Sequence, residues 1–320
     1  TDSMDIAIQA LSRGSFNVAK TYLDTALQDN PDDPTIHFYM AVVRLLNLFE
    51  NPHSGLQTVM SSLQVKIAWF LSPLLEMPEE FSTNSASLDD ITSALSDTLI
   101  PTVNECLNDL AIVKNHPQIT IAPRGFEKWI ESYTEIDYSD VLLYEAFLHF
   151  LIAETHTLQA YKLNVNIPTI QNSSLPPDQF VISTNNLLAL ESDFQQTLTK
   201  SRTSVDSSLT SLKAAIQSIA VEADQQFDDL LTLTPEDVTN ALDWIDKINS
   251  SLKASTSMDV SDLLGNERKL NVFLGAYFST PVHRAQLPTF RDGHPILNLI
   301  PDPTFAGLLP GMTKDQLSHF

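Results

Sequence analysis

The apolar spacing of the first fifty residues constrains this chain most. Ile6, Ala7, Ala10 and Leu11 fall on one helical face, Arg13-Gly14-Ser15-Phe16 interrupts it, and Ala19, Tyr22, Leu23, Ala26 and Leu27 make a second face. Two short amphipathic helices joined at a glycine are predicted to fold back on each other. Gly14 permits the turn, Phe16 fills the space beside it, and the small side chains of Ala19 and Ala26 let the helices approach. Asn30-Pro31-Asp32-Asp33-Pro34 ends the second helix. A third then carries Ile36, Phe38, Met40, Ala41, Val43, Leu45, Leu46 and Leu48 and stops near Asn51-Pro52.

Gly14, Phe16, Ala19, Leu23, Ala26 and Pro31 stand in the relative positions of a tetratricopeptide repeat, and residues 1 to 50 resemble one. Pro34 to Asn47 looks like the first helix of a second repeat. Gly55 to Phe70 is helical in pattern but lacks the glycine-aromatic turn, so a regular array is not expected. The resemblance implies a concave groove lined by the first helix of each pair, with Met4, Ile8, Phe38 and Val42 as its partner-binding residues.

Further along, Pro73, Pro78 and a Ser/Thr/Asn cluster make Leu71 to Ser85 a linker. Ser87 with Asp90 reads as the cap of a helix that continues through Ile91, Leu95, Leu99, Val103, Leu107 and Leu110, with Pro101 kinking or splitting it. Phe126 to Tyr133 and Ser139 to Leu163 read as helices, the second so apolar that it belongs at the centre of a core. Asn166 to Pro177 is a break. Val205, Leu209, Leu212, Ile216, Ile219, Ala223 and Phe227 recur at four- and three-residue steps, the seam of long helices packed at a shallow angle. Thr234-Pro235-Glu236-Asp237 starts the partner, whose face is Val238, Leu242, Ile245, Ile248 and Leu252. These form a long hairpin within the chain, or a homo-oligomer through residues 205 to 252.

Only 8 of the 320 residues are glycine, where an average chain of this length carries roughly 20. So few φ > 0 turns disfavour a many-stranded sheet. The expected class is all-α: tetratricopeptide-like hairpins over 1–70, a helical bundle with a long hairpin over 86–265, and an irregular strap over 266–320. The strap holds half of the glycines and six of the 18 prolines, with 5 basic and 4 acidic residues; the preceding 265 residues carry 13 and 36. Its aromatic content is too high for a solvated tail, so it is expected to pack on the helices. Its Pro-Asp-Pro-Thr-Phe and Pro-Gly-Met-Thr phrases resemble the ends of bacterial envelope lipoproteins.

The net charge of −22 repels phosphate backbones, so nucleic acid is not an expected partner. No apolar run approaches the roughly 18 residues of a membrane span. Cys106 stands alone and falls among Val103, Leu107 and Leu110, the setting of a buried small hydrophobe. No Gly-rich phosphate loop, Gly-x-Ser-x-Gly elbow, His-Glu-x-x-His or EF-hand pattern occurs. The chemistry-bearing groups that remain are Glu145, His149, Glu154 and His156 on one helix, with Glu105 and Asp109 as facing carboxylates if a two-metal bundle existed, and Asp292, His294 and Asp302 in the strap. A histidine bonded to a carboxylate is the preferred reading of the first group and a turn that of the second, so neither a cofactor nor a metal is expected.

The expected function is therefore non-catalytic: a helical scaffold for a protein or peptide. The alternative is a carrier holding a small apolar ligand between helices. A first residue other than methionine, the acidity and the tail phrases suggest a mature bacterial protein of the periplasm or anchored to the outer membrane, with the cytoplasm as the other choice.

Overall fold

The computed structural model describes residues 2–50, 87–126, 134–166, 169, 172–222, 231–259, 261, 269–287 and 301–313. The helix expected from Gly55 to Phe70, the linker from Leu71 to Ser85, the body of the Phe126 to Tyr133 helix, and Asp292 and His294 lie outside them. The chain is mostly helical, as its spacing and scarce glycines predict.

Helix α1 (Ser3–Ser12) starts on Asp2, whose carboxylate accepts from the Met4 N–H at 3.3 Å. It ends at Gly14, which sits at φ +75° while the Ser15 N–H bonds to the Ala10 carbonyl and the Gly14 N–H to that of Leu11. This closure satisfies the last carbonyls of the helix and reverses the chain. Helix α2 (Phe16–Asp29) buries Phe16, Ala19, Leu23 and Ala26. Asp33 then caps α3 (Pro34–Glu50), its Oδ1 accepting from the Thr35 and Ile36 N–H groups.

A reciprocal pair of bonds between Ser87 and Asp90 opens α4 (Leu88–Ala94). The run continues through a π-helical turn, Leu95–Leu99, into α5 (Ile100–Val113). Pro101 has no N–H for the helical ladder, and the wider turn just before it, with the Ile100 N–H on the Leu95 carbonyl, absorbs the defect without breaking the helix. After a bridge between Ile121 and Ile136 comes α6 (Tyr138–Gln159), capped by Asp137 and Asp140. Apolar residues occupy most sides of α6, the pattern of a helix covered on more than one face.

One hydrophobic core joins α1, α2, α3, α5 and the first half of α6. Leu11, Leu23, Met40, Val103, Leu110 and Leu148 are fully buried in it, each contributing about 1.5–3 kcal/mol by leaving water. A buried polar seam crosses it. Asp109, on α5, accepts from His37 Nδ1 at 2.8 Å and from Arg44 Nε at 2.9 Å, while His37 Nε2 donates to the Pro31 carbonyl at 2.8 Å. Arg44 also reaches Glu105.

The second half of the chain is organised by α8 (Phe194–Ile219), which follows the short α7 (Pro177–Ser183). Its apolar edge meets α9 (Pro235–Ser251), where Ile216, Ile219, Val238 and Ile245 form a second core. The seam that could have served a homo-oligomer is thus spent, in large part, inside the chain. An adjoining edge of α8 lies along α6 and carries small hydroxyl residues. Ser201 donates to the Ala153 carbonyl at 2.9 Å and Ser208 to that of Ala146 at 2.8 Å, which also shows that the two helices run antiparallel.

A two-stranded antiparallel sheet follows, β1 (Thr256–Asp259) paired with β2 (Lys269–Val272). Four-residue strands carry too little alternation to be seen in the sequence. Helix α10 (Leu274–Ser279) then packs on α8 and α9. The strap returns over it at 301–313, with the Phe273 N–H bonded to the Leu308 carbonyl at 2.8 Å.

Candidate functional site

Of the residues expected to line a groove, one is buried and three are partly buried. Phe38 is 7% exposed and lies edge-on to Tyr144, with ring centres 6.5 Å apart; Met4, Ile8 and Val42 are partly buried against the main core. The chain's own segment at 122–126 covers this side of the hairpin. Tyr39 shares its hydroxyl proton between the carbonyls of Ala122 and Arg124 at 3.1 and 2.9 Å, and its ring stacks on Phe126 at 5.6 Å. Gly125, at φ +88°, comes so close that a Cβ there would stand 2.9 Å from the Ile8 carbonyl oxygen. A short repeat array leaves its apolar face bare, and burying that face within the chain is favourable.

The candidate metal ligands are likewise engaged elsewhere. Glu105 and Asp109 are held by Arg44, and Asp302 caps its own turn through the Thr304 and Ala306 N–H groups. His156 donates to Gln159, away from Glu145. Among the described residues no three His, Cys, Asp or Glu side chains converge as a metal site. Cys106 is fully buried and donates to the Ala41 carbonyl; burial, then the Asp109 carboxylate, pushes its thiol up to about 12. Such a thiol stays protonated and unreactive.

Glu145 and His149 do share a face, and that face borders a cleft of about 500 Å³ between α6 and α8. From α6 come Tyr138, Leu142, Glu145 and His149, at steps of four, three and four. From α8 come Thr203, Asp206, Ser207, Thr210, Ser211 and Ala214. Lys114, just past the end of α5, closes one side. The sequence named only Glu145 and His149. The α8 contribution was missed because serine and threonine at helical spacing read as a solvated face, although the three- and four-residue recurrence of small hydroxyls from Ser201 to Ser211 is the signal that finds it.

Inside the cleft, Glu145 is 8% exposed and both its oxygens are occupied: Oε1 by the Lys114 ammonium and Oε2 by the Ser211 hydroxyl at 2.9 Å. The preferred reading of His149 as bonded to a carboxylate is not met at Glu145, which is held by Lys114 and Ser211 and has no hydrogen bond to His149. Burial holds His149 below the ordinary imidazole value, against the pull of Glu145 and with the help of Lys114. His156 is also lowered, again chiefly by burial.

A depressed histidine stabilises the fold above its unfolded value and loses that contribution as pH falls through its folded value. Unfolding midpoints in urea at pH 7.5 and pH 5 should therefore show acid destabilisation setting in below about 6.5, and a shallower loss in His149→Gln. Equal losses in both proteins would remove His149 from the account.

No helix among the described residues is long and apolar enough to cross a membrane. No protein-family model, curated protein or solved structure matches this chain, so the cleft is read from its own side chains.

Proposed function

We propose that this chain is a non-catalytic helical binding protein, a carrier or accessory protein that holds a small ligand in the α6–α8 cleft. The observation that carries the reading is a cleft of ligand size walled by two long helices whose relative position is fixed by backbone-directed serines. Its walls set polar groups of Glu145, His149, Asp206 and the α8 hydroxyls within a surface that is more apolar than polar, so the ligand is amphipathic, a polar group on a short hydrocarbon body, unlike the wholly apolar one that helix-bundle carriers would suggest. Glu145, the natural general acid or base, is tied at both oxygens, which favours binding over turnover.

In this reading the tetratricopeptide-like hairpin is a structural abutment for α5 and α6. A peptide along α1 and α3 would first have to displace 122–126, and Ile8→Arg should therefore cost stability before it costs binding. The acidity and the tail phrases support a place in a bacterial envelope, which cell fractionation of the native protein would check.

Ligand screening by thermal shift and by the NMR signals of His149, Thr203 and Thr210 tests the cleft. A binder at a hundred times its Kd should stabilise the fold by about 2.7 kcal/mol. Ser207→Trp, which puts an indole into the cleft, should abolish that gain while leaving helicity intact. A stabilising binder unaffected by Ser207→Trp would move the site elsewhere.

A further inference from the structure

We infer that the α6–α8 cleft selects a small organic cation, an aliphatic amine presenting ammonium N–H groups, an assignment that rests on the cleft being the ligand site. The inference follows from where the protons in the cleft already are. Thr203 donates its hydroxyl proton to the Thr199 carbonyl at 3.0 Å, and Thr210 to that of Asp206 at 2.8 Å. Ser211 donates to Glu145. Each of these hydroxyls has spent its donor and keeps only lone pairs to offer.

The charges point the same way. Lys114 is paired with Glu145, so the two cancel locally. Asp206 faces the cleft with no hydrogen bond or ion pair to its carboxylate among the described residues, leaving one uncompensated negative charge there. His149 also has no hydrogen-bonding partner among them, and burial favours its neutral form, whose ring carries one lone pair and one N–H and adds no positive charge to the cleft. Donors remain on Ser207, Tyr138 and His149, but the one unpaired charge in the lining, among the described residues, is the Asp206 carboxylate, which repels an anion and offers an ammonium a charged partner. Tyr138 and Leu142 supply apolar wall for a short hydrocarbon body. The protein's charge of −22 raises the local concentration of cations.

The test uses three four-carbon probes of matched length on the full chain: putrescine, 1,4-butanediol and succinate. Putrescine should shift the signals of His149, Thr203 and Thr210, with an affinity at least about tenfold above that of the diol. Succinate should not shift them. Asp206→Asn should weaken putrescine by about tenfold or more, and Asp206→Glu should recover most of it. Circular dichroism on both variants confirms that the helices are kept.

Putrescine binding unchanged in Asp206→Asn would overturn the inference, since it would then reflect the general acidic field. So would equal or tighter binding of butanediol or succinate in the cleft, which would keep the cleft as the ligand site but change the ligand class. If a broader panel moves the cleft signals and no amine does, the ligand class is again wrong. If nothing in any panel moves them, the cleft reading falls and takes this inference with it.

Discussion

Asp109→Ala is expected to destabilise the fold by about 3–5 kcal/mol, toward the lower end, because Arg44, one of the two donors left behind, keeps some contact with water. Asp109 is 6% exposed and is the common acceptor for His37 on one oxygen and Arg44 on the other. Removing it strands both donors between α3 and α5. The Arg44 side chain is 19% exposed and retains Glu105, which softens the loss; that of His37 is 9% exposed and keeps only the Pro31 carbonyl. The attraction itself is a smaller quantity than the penalty of breaking it, since burying the charges was costly in the first place. A double-mutant cycle separates the two. Asp109→Leu with Arg44→Leu should be clearly less destabilising than the sum of the single changes, measured by urea unfolding. A single-variant loss below about 1 kcal/mol would mean that the network is as weak as an exposed ion pair.

This network also marks how far the sequence could be read. Local features were legible because their physics is local: the Gly14 turn, the Ser87–Asp90 and Thr234–Asp237 caps and the apolar stripe of α8 each depend on residues a few positions apart. His37 and Asp109 are 72 residues apart, and nothing in either neighbourhood announces the other. The pairing of α6 with α8 was hidden for a different reason. Two of its contacts are serine hydroxyls on backbone carbonyls, and a carbonyl acceptor leaves no trace in the residue type that carries it. The expectation at Met4, Ile8, Phe38 and Val42 treated the hairpin as though more repeats followed. With α5 and the 122–126 segment beside it, the face that a longer array would present as a groove is packed within the chain. Two residues of the cleft, Glu145 and His149, were visible as a four-residue step; the α8 side required knowing which helix lay opposite.

The strap's attachment to the helices rests on one missing side chain, and Gly275→Ala should expose it. In an ordinary helix this change stabilises, by about 1 kcal/mol, because alanine is the better helix former. Here the added Cβ would stand 2.4 Å from the Leu252 carbonyl oxygen and 2.6 Å from the Phe273 ring. The carbonyl cannot step aside cheaply, since Arg202 Nη2 donates to it at 2.8 Å while the Leu252 N–H is held by Ile248. Overpacking of this kind costs about 1–3 kcal/mol, and more where backbone must move, so the clash should outweigh the propensity gain. The loss should be local first. Residues 301–313 are fastened to this region by the Phe273–Leu308 bond and by the approach of Gly307 to Ala276, and lifting α10 off the end of α9 loosens both. Limited proteolysis followed by mass spectrometry should show faster cleavage after residue 269 in Gly275→Ala, while α6 and α8 remain protected. Gly311→Ala supplies the contrast. Its φ of +81° strains an alanine but its Cβ meets nothing within 4 Å, so its cost should stay near 1–2 kcal/mol. A Gly275→Ala protein as resistant to protease and urea as the parent would show that α10 does not seat this closely on Leu252, and that the strap is held by something other than this contact.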